Sequence, residues 1–215
     1  MKVGTDGTLL GAWSSVPCGQ CRLLDIGTGT GLVALMLAQR APEAEVFGID
    51  IDEDAVLQAQ ENVDASPFVH RIQILQGDIS YYESDPFNAI VCNPPYFVES
   101  LTCPDVQRTT ARHTVSLTYS KLMHSAYRLL SDEGAFSVIV PFECRSRLES
   151  EAALAGFFLS KICSIKTTPN KPVKRYLIEL AKHPVNELDI KEGIIEVFPH
   201  VRSDWYQALT KDFYL

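Results

Sequence analysis

Short apolar runs alternate with amphipathic segments through the first half of this 215-residue chain. Four of these runs have the length of a β-strand: residues 22–27 (RLLDIG), 44–50 (AEVFGID), 71–78 (RIQILQGD) and 87–93 (FNAIVCN). Residues 30–41 carry apolar side chains at helical spacing, and residues 53–65 begin with acidic residues, which favour the amino end of a helix. This alternation is typical of βα units around a parallel sheet.

The pattern breaks between Asn93 and about Ser116, where the sequence is polar, irregular and contains proline. An irregular stretch of this length inside a compact domain is usually functional. Beyond it, the pattern predicts a helix at 117–130, a strand at 134–141, a helix at 142–155, two strands at 157–168 and 173–182, and a short helix at 204–213. The last two strands are close enough in sequence to form an antiparallel hairpin.

These runs predict an α/β fold with a doubly wound, mostly parallel, Rossmann-like sheet of seven strands and a C-terminal antiparallel hairpin. We expect residues 1–215 to form a single domain, and we favour a monomer. No apolar run approaches the roughly 18–20 residues of a membrane span, and no secretory signal is recognisable. We therefore expect a cytoplasmic protein without a membrane partner.

The segment DIGTGTG places Gly27, Gly29 and Gly31 where the chain turns from the first strand into a helix. Glycine permits positive φ and allows a ligand to approach the backbone closely. Asp50 closes the second strand nineteen positions after Gly31, where a carboxylate can accept hydrogen bonds from both ribose hydroxyls. Asp78, at the end of the third strand, falls on the same edge, so this edge is predicted to bind a nucleotide-containing cofactor.

Two features of the loop favour S-adenosylmethionine over a dinucleotide. The spacing is GxGxG rather than GxGxxG, and Asp25 precedes the first glycine. This carboxylate would repel a pyrophosphate, whereas it could hold the loop amides or the ammonium group of S-adenosylmethionine. A nucleotide-binding oxidoreductase is the alternative from another class, but it leaves the next motif without a role.

That motif is Asn93-Pro94-Pro95-Tyr96, directly after the fourth strand, and we predict that these four residues are catalytic. A planar amine is a poor nucleophile because its lone pair is delocalised. The Asn93 side-chain carbonyl and the Pro94 backbone carbonyl can accept its two protons, the prolines stiffen the turn, and Tyr96 offers a stacking face. Asn93 also borders the predicted cofactor site. The same acceptors suit a carboxamide, so a glutamine N5-methyltransferase of release factors and a guanine N2-methyltransferase of ribosomal RNA remain alternatives.

A net charge of −8 is unusual for a nucleic-acid-binding protein, but the acidic residues are concentrated in the first half of the chain. Residues 161–182 carry six basic residues and one acidic residue. Within this segment Lys171, Lys174 and Arg175 could grip an RNA backbone, or they could be a solvated strand edge. A non-catalytic RNA-binding module would explain this cluster but neither motif. The six cysteines are interpreted as reduced thiols, and no metal site is expected.

The opening MKVGTDGTLLGAW, together with DIGTGTG, NPPYF, Ala111-Arg112-His113 and the terminal DFYL, resembles the bacterial tRNA1(Val) adenine-37 N6-methyltransferases over nearly the whole chain. The resemblance implies S-adenosyl-L-methionine as cofactor and methylation of the tRNA adenosine just 3′ of the anticodon. It also implies that Thr5 and Asp6 lie near the methionine moiety, that Gly27, Gly29, Asp50 and Asp78 line the cofactor, and that residues 93–96 surround the flipped base.

Three further residues in the irregular stretch are candidates for binding the substrate. Arg112 and His113 could contact phosphate or the anticodon loop, or they could be ordinary solvated residues. Phe97 immediately follows the NPPY motif and is as suited to the core as to stacking on a base.

Overall fold

The computed structural model describes residues 4–94 and 117–213. Its strands are β1 (Arg22–Ile26), β2 (Glu45–Asp50), β3 (Ile72–Gln76), β4 (Phe87–Cys92), β5 (Leu130–Pro141), β6 (Phe158–Lys166), β7 (Val173–Ala181), β8 (Asp189–Ile194), β9 (Glu196–Phe198) and β10 (Val201–Arg202). Its helices are α1 (Thr5–Trp13), α2 (Leu32–Arg40), α3 (Glu53–Asp64), α4 (Tyr119–Leu129), α5 (Arg145–Ala155) and α6 (Asp204–Thr210), and a 3₁₀ turn covers Phe142–Cys144.

Eight strands form one sheet in the order β3-β2-β1-β4-β5-β7-β6-β8, and β9 and β10 form a separate two-stranded ribbon. In the described part of the large sheet, β7 alone runs antiparallel to its neighbours. The predicted α/β class, parallel sheet and β6–β7 hairpin are confirmed. The prediction of seven strands is wrong because β8 adds an eighth strand beside β6.

The two faces of the sheet are covered by different helices. Helices α1, α2, α3 and α6 pack on one face, where Leu9, Leu37, Val63 and Tyr206 join one apolar cluster. Helices α4 and α5 pack on the opposite face through residues such as Leu122 and Leu148. Because both faces of the sheet are buried, the central strands consist of nearly continuous apolar residues. The sequence pattern identified them for this reason.

Helix boundaries follow local chemistry. Asp52 caps α3 by accepting a hydrogen bond from the Asp54 N–H at 3.0 Å, and Thr118 caps α4 through the Lys121 N–H at 3.2 Å. Gly156, with φ of 99°, ends α5 in the left-handed conformation. In the described ranges, no helix is both long enough and apolar enough to cross a membrane.

Helix α1, which the pattern did not predict, packs closely on α2. A Cβ atom on Gly11 would lie 2.7 Å from the Met36 sulfur, and one on Gly7 would lie 3.3 Å from a Leu32 methyl. Arg40 of α2 donates a hydrogen bond to the Gly11 carbonyl at 2.8 Å. These contacts fix the helix so that its first turn reaches the carboxyl edge of the sheet, beside Asn93.

Candidate active site

The glycine loop and the start of the NPPY motif lie side by side because β1 and β4 are parallel neighbours. Ile26, the last residue of β1, is in register with Cys92, the last residue of β4. Gly27 and Asn93 are therefore the first residues after two adjacent strands and lie at the same level. Neighbouring strands are usually about 4.8 Å apart. The two predicted motifs meet at one point on the carboxyl edge.

Three glycines with positive φ shape the loop after β1: Gly27 (70°), Gly29 (57°) and Gly31 (77°). The N–H groups of Gly27 and Thr28 donate to the Ile49 carbonyl at 2.8 and 3.1 Å, which fixes the loop to the end of β2. A Cβ atom built on Gly27 would meet no atom of the described residues within 4 Å. The loop therefore borders open space, as a ligand cradle requires.

Asp50 links the same loop to the second strand. One of its carboxylate oxygens accepts the Gly29 N–H at 2.9 Å, and the other accepts the Asp52 N–H at 3.0 Å. An ionised carboxylate has about four acceptor sites, so acceptor capacity remains for ribose hydroxyls. These residues therefore fit S-adenosylmethionine, because the fixed Asp50 carboxylate lies beside a glycine loop that borders open space.

Asp78 lies just beyond β3 at the same edge. Its side chain accepts the Ser80 N–H at 2.8 Å, and its backbone carbonyl accepts the Tyr81 N–H at 3.0 Å. The neighbouring Gly77 N–H donates to the Asp50 carbonyl at 2.9 Å. Asp78 therefore lies in a turn that is hydrogen-bonded, through Gly77, to the backbone of Asp50.

Asp25 is buried beneath the loop, with 1% of its surface exposed. Its carboxylate accepts a hydrogen bond from the Thr28 hydroxyl at 2.7 Å. Burial raises the pKa of Asp25 to about 7, and the charge of Asp50 adds to this, whereas the hydrogen bonds from Thr28 and the Ala34 backbone oppose it. Asp25 thus braces the loop through the Thr28 hydroxyl rather than through the loop amides, and its contact with the ammonium group of the cofactor stays a prediction.

A cavity of about 540 Å³ lies between the first turn of α1, Asn93 and the ends of the C-terminal strands. Thr5 and Asp6 line it from one side, and Lys174 and Arg175 line it from the other. Arg175 Nε donates to Asp6 Oδ2 at 2.9 Å, so a predicted cofactor residue and a predicted RNA residue contact each other. The cavity also includes Glu196 and Arg202, which the sequence did not identify because no motif marks them.

The basic residues of segment 161–182 have different surroundings in the fold. Lys161 forms an ion pair at 3.1 Å with Glu179, which is buried and also accepts a hydrogen bond from Ser160 at 3.2 Å. Lys182 donates to the Leu130 carbonyl at 2.7 Å. These contacts hold neighbouring strands together, so these two lysines have structural partners.

Lys171 and Lys174 are exposed at the carboxyl edge. They line a second cavity of about 480 Å³ together with Thr167 and Glu143. Thr167, Lys174 and Arg175 line both cavities, so the two are adjacent. Of the three predicted RNA-binding residues, two are exposed and the third, Arg175, is paired.

Several predicted site residues lie outside the described ranges: Pro95, Tyr96, Phe97, Arg112 and His113. Of the NPPY motif, the structure describes Asn93 and the buried Pro94. Five cysteines are described; all are free thiols, and four of them are buried. One potential metal-ligand group, the exposed side chains of Asp132, Glu133 and His183, lies at the opposite edge of the sheet.

Comparisons with known proteins agree with this architecture. The family model described as the methyltransferase small domain matches residues 15–163, more than half of the chain. The chain is similar to a tRNA1(Val) (adenine(37)-N6)-methyltransferase from Bacteroides thetaiotaomicron, with 48% identity over all of this chain and 91% of that protein.

Among solved structures, a predicted O-methyltransferase from Agrobacterium tumefaciens superposes with a TM-score of 0.75 at 18% identity, covering 96% of each chain. A TehB-like SAM-dependent methyltransferase from Corynebacterium glutamicum gives 0.57 at 15% identity, covering 84% of this chain and 89% of that one. The chain therefore shares its fold with methyltransferases of known structure. At 48% identity over its full length, this chain belongs to the family of tRNA1(Val) (adenine(37)-N6)-methyltransferases.

Proposed function

We propose that this protein transfers a methyl group from S-adenosyl-L-methionine to N6 of an adenine in tRNA, at position 37 of tRNA1(Val). The observation that carries the proposal is the register of Ile26 with Cys92, which sets the cofactor loop beside Asn93. A methyl donor and an amine acceptor must meet at near-attack distance, and positioning of this kind provides much of the catalysis.

On the donor side, the chain binds and orients the cofactor. Asp50, held by the Gly29 and Asp52 N–H groups, is preorganised to accept hydrogen bonds from the ribose hydroxyls. The hydrogen bond between Thr28 and the buried Asp25 holds the glycine loop in the conformation in which its glycines have positive φ. When bound, S-adenosylmethionine supplies an electrophilic methyl group.

On the acceptor side, Asn93 and Pro94 hold the amine. The Asn93 side-chain oxygen and the Pro94 carbonyl accept the two amino protons and favour the geometry in which the nitrogen lone pair is available. The fixed φ of Pro94 stiffens the backbone between the two acceptors. The methylated nitrogen can release its proton to water, so the mechanism requires no side-chain base.

The first turn of α1 completes the site. Thr5 and Asp6 face the same cavity as Asn93, and the ion pair from Asp6 to Arg175 joins this turn to β7. In this proposal the turn would border the methionine end of the bound cofactor, where it would limit the access of water. The exposed Lys171 and Lys174 lie beside this cavity, where they would contact RNA phosphates.

Methyl transfer to three acceptors tests the proposal. The protein is incubated with tritiated S-adenosylmethionine and, separately, with unmethylated tRNA1(Val), ribosomal RNA and a release factor, and the nucleosides are then identified by mass spectrometry. We expect N6-methyladenosine at position 37 of the tRNA. Methylation confined to release-factor glutamine or to guanine N2 would replace the proposal with one of these alternatives.

Substitutions at the two ends of β4 test the role of Asn93, which directly follows this strand. Asn93→Ala should lose about 3 kcal/mol of transition-state stabilisation, by analogy with the loss of an oxyanion-hole donor, with little change in cofactor affinity. Asn93→Asp keeps an acceptor oxygen and should retain more activity. The matched control is Asn88→Ala, at the opposite end of the same strand, where the side chain accepts the Arg22 N–H at 2.9 Å. Equal rates for Asn93→Ala and this control would refute the assigned role.

A further inference from the structure

Phe142 occupies an unusual position at the carboxyl edge of the sheet. It begins the 3₁₀ turn that follows β5, and 53% of its surface is exposed. Single exposed apolar side chains are common on proteins, so exposure alone indicates nothing. The surroundings of the ring distinguish Phe142 from the other exposed apolar residues.

The Phe142 ring stacks on Tyr176, with centroids 5.9 Å apart and planes inclined by 26°. Tyr176 is 8% exposed, and the Arg145 guanidinium carbon lies 4.5 Å from its ring centroid. Arg145 is itself fixed by Glu149, whose carboxylate accepts its Nε–H at 2.6 Å. A buried, braced neighbour therefore holds the Phe142 ring in place while much of that ring faces solvent.

Strand register places this ring near the reacting centre. Cys92 is level with Val138, so extending the register by one residue sets Asn93 level with Ile139, and Phe142 lies three residues further, directly after Pro141 at the end of the adjacent strand. At about 3.3 Å per residue and about 4.8 Å between strands, this corresponds to roughly 11 Å between the two Cα positions. Nucleotides splayed out of a loop on either side of the target can span such a distance.

The charges around Phe142 are suited to an RNA backbone on one side. Pro141 is level with Arg175, which sets Phe142 close to Lys174 on the neighbouring strand. Lys171 and Lys174 are exposed there, whereas Glu143, next to Phe142, lines the same cavity and would repel phosphate. A nucleotide stacked on Phe142 would therefore direct its phosphate towards the two lysines.

We propose that Phe142 is a stacking site for an unpaired base of the substrate RNA, in the nucleotides that flank the methylated adenosine. This inference rests on the proposed function and adds a second base contact to it. Single-stranded RNA is commonly recognised by splayed bases that stack on aromatic side chains, and a fixed ring loses little conformational freedom when a base binds. Tyr176 and Arg145 act as positioning residues for the ring.

Binding of an anticodon stem-loop RNA to Phe142 variants tests the proposal. Phe142→Ala should weaken RNA binding roughly five- to fiftyfold, in the range for loss of one stacked base, and should raise the KM for tRNA more than it lowers kcat. Phe142→Trp should restore binding, because any aromatic face can stack. The control is Phe158→Ala, which removes a Phe that is 45% exposed at the opposite edge of the sheet and should leave RNA affinity unchanged. Cofactor affinity and Tm are measured for each variant to exclude misfolding.

Stem-loops with an abasic site at one flanking position at a time provide the sharper test. The wild-type protein should lose affinity for the abasic RNA whose missing base contacts Phe142, and Phe142→Ala should not distinguish that RNA from the intact one. If Phe142→Ala and Phe158→Ala bind every RNA as the wild type does while the wild type methylates tRNA, the stacking site is refuted and the proposed function stands. If the wild type methylates no tRNA, the proposed function itself is refuted, whatever the Phe142 variants bind.

Discussion

Asp6 and Arg175, 169 positions apart in the chain, form an ion pair at 2.9 Å that joins the first turn of α1 to β7. Both side chains are about one-fifth exposed, so solvent screens the pair only in part. Because Asp6 and Arg175 both line the cavity that contains Asn93, this pair adds to the α1–α2 contacts that hold the first turn of α1 beside the site.

Removing this pair should affect the cofactor more than the RNA. Arg175→Ala should destabilise the protein by about 0.5–1 kcal/mol and weaken S-adenosylmethionine binding up to roughly tenfold, because the first turn of α1 is held less firmly beside the site. Asp6→Asn should act in the same direction, and the double variant should show less than the sum of both effects. Chemical denaturation and calorimetry measure these quantities. A loss of RNA affinity with unchanged cofactor binding would instead make Arg175 an RNA contact.

Asp50→Ala should weaken S-adenosylmethionine binding by roughly 1.5–3 kcal/mol, the range for a hydrogen bond to a charged group. The variant loses the expected ribose acceptor and also the acceptor for the Gly29 N–H. Asp52→Ala is the matched control, because it removes a nearby carboxylate that caps α3. The control should lower the free energy of unfolding by roughly 0.5–2 kcal/mol and leave calorimetric affinity for the cofactor nearly unaltered. Equal cofactor affinity in both variants would contradict the role of Asp50.

The pKa of Asp25 predicts a pH dependence of stability. Its pKa of about 7 in the folded protein is above the ordinary aspartate value of 3.8, mainly because the group is buried. The folded state therefore binds this proton more tightly than the unfolded state, and the stabilisation is complete below about pH 4 and is lost as pH rises through about 7.

The size of this effect is at most roughly 4 kcal/mol, at 1.36 kcal/mol per pH unit. Asp25→Asn should remove it, so the free energy of unfolding should fall less between pH 5 and pH 8 in the variant than in the wild type. Urea denaturation at the two pH values measures the difference, and other titrating groups cancel between the proteins. Parallel pH profiles would show that Asp25 ionises normally.

Reversing the charges of Lys171 and Lys174 to glutamate should weaken tRNA binding and reduce its dependence on salt. Each lost phosphate contact should lower the slope of log affinity against log salt by about 0.7–0.9. Lys191→Glu is the control, because this lysine is 67% exposed on the edge strand β8 and pairs with Asp189. If all the reversals lower the affinity equally, Lys171 and Lys174 are a solvated edge with no specific contact to RNA.

The sequence by itself determined the central strands and the position of the two motifs. The apolar runs of β1, β2 and β4 are buried on both faces, so their composition identifies them without tertiary information. The glycines at 27, 29 and 31 likewise need positive φ, which is a local property of the backbone. Asn93 falls beside the loop because parallel strands end at one edge of the sheet.

Tertiary structure alone decided the remaining features. Three of the six residues of strand β8 are exposed and one is buried, so its sequence carries no alternating pattern, and main-chain pairing to β6 places it in the sheet. Helix α1 depends on the absence of side chains at Gly7 and Gly11, which allows close contact with α2. In the sequence, the basic residues of 161–182 form one cluster. In the fold, Arg175 forms an ion pair with Asp6 and Lys161 forms one with Glu179, whereas Lys171 and Lys174 are exposed. Charge is a property of composition, whereas the partner of each charge depends on distances that only the folded chain establishes.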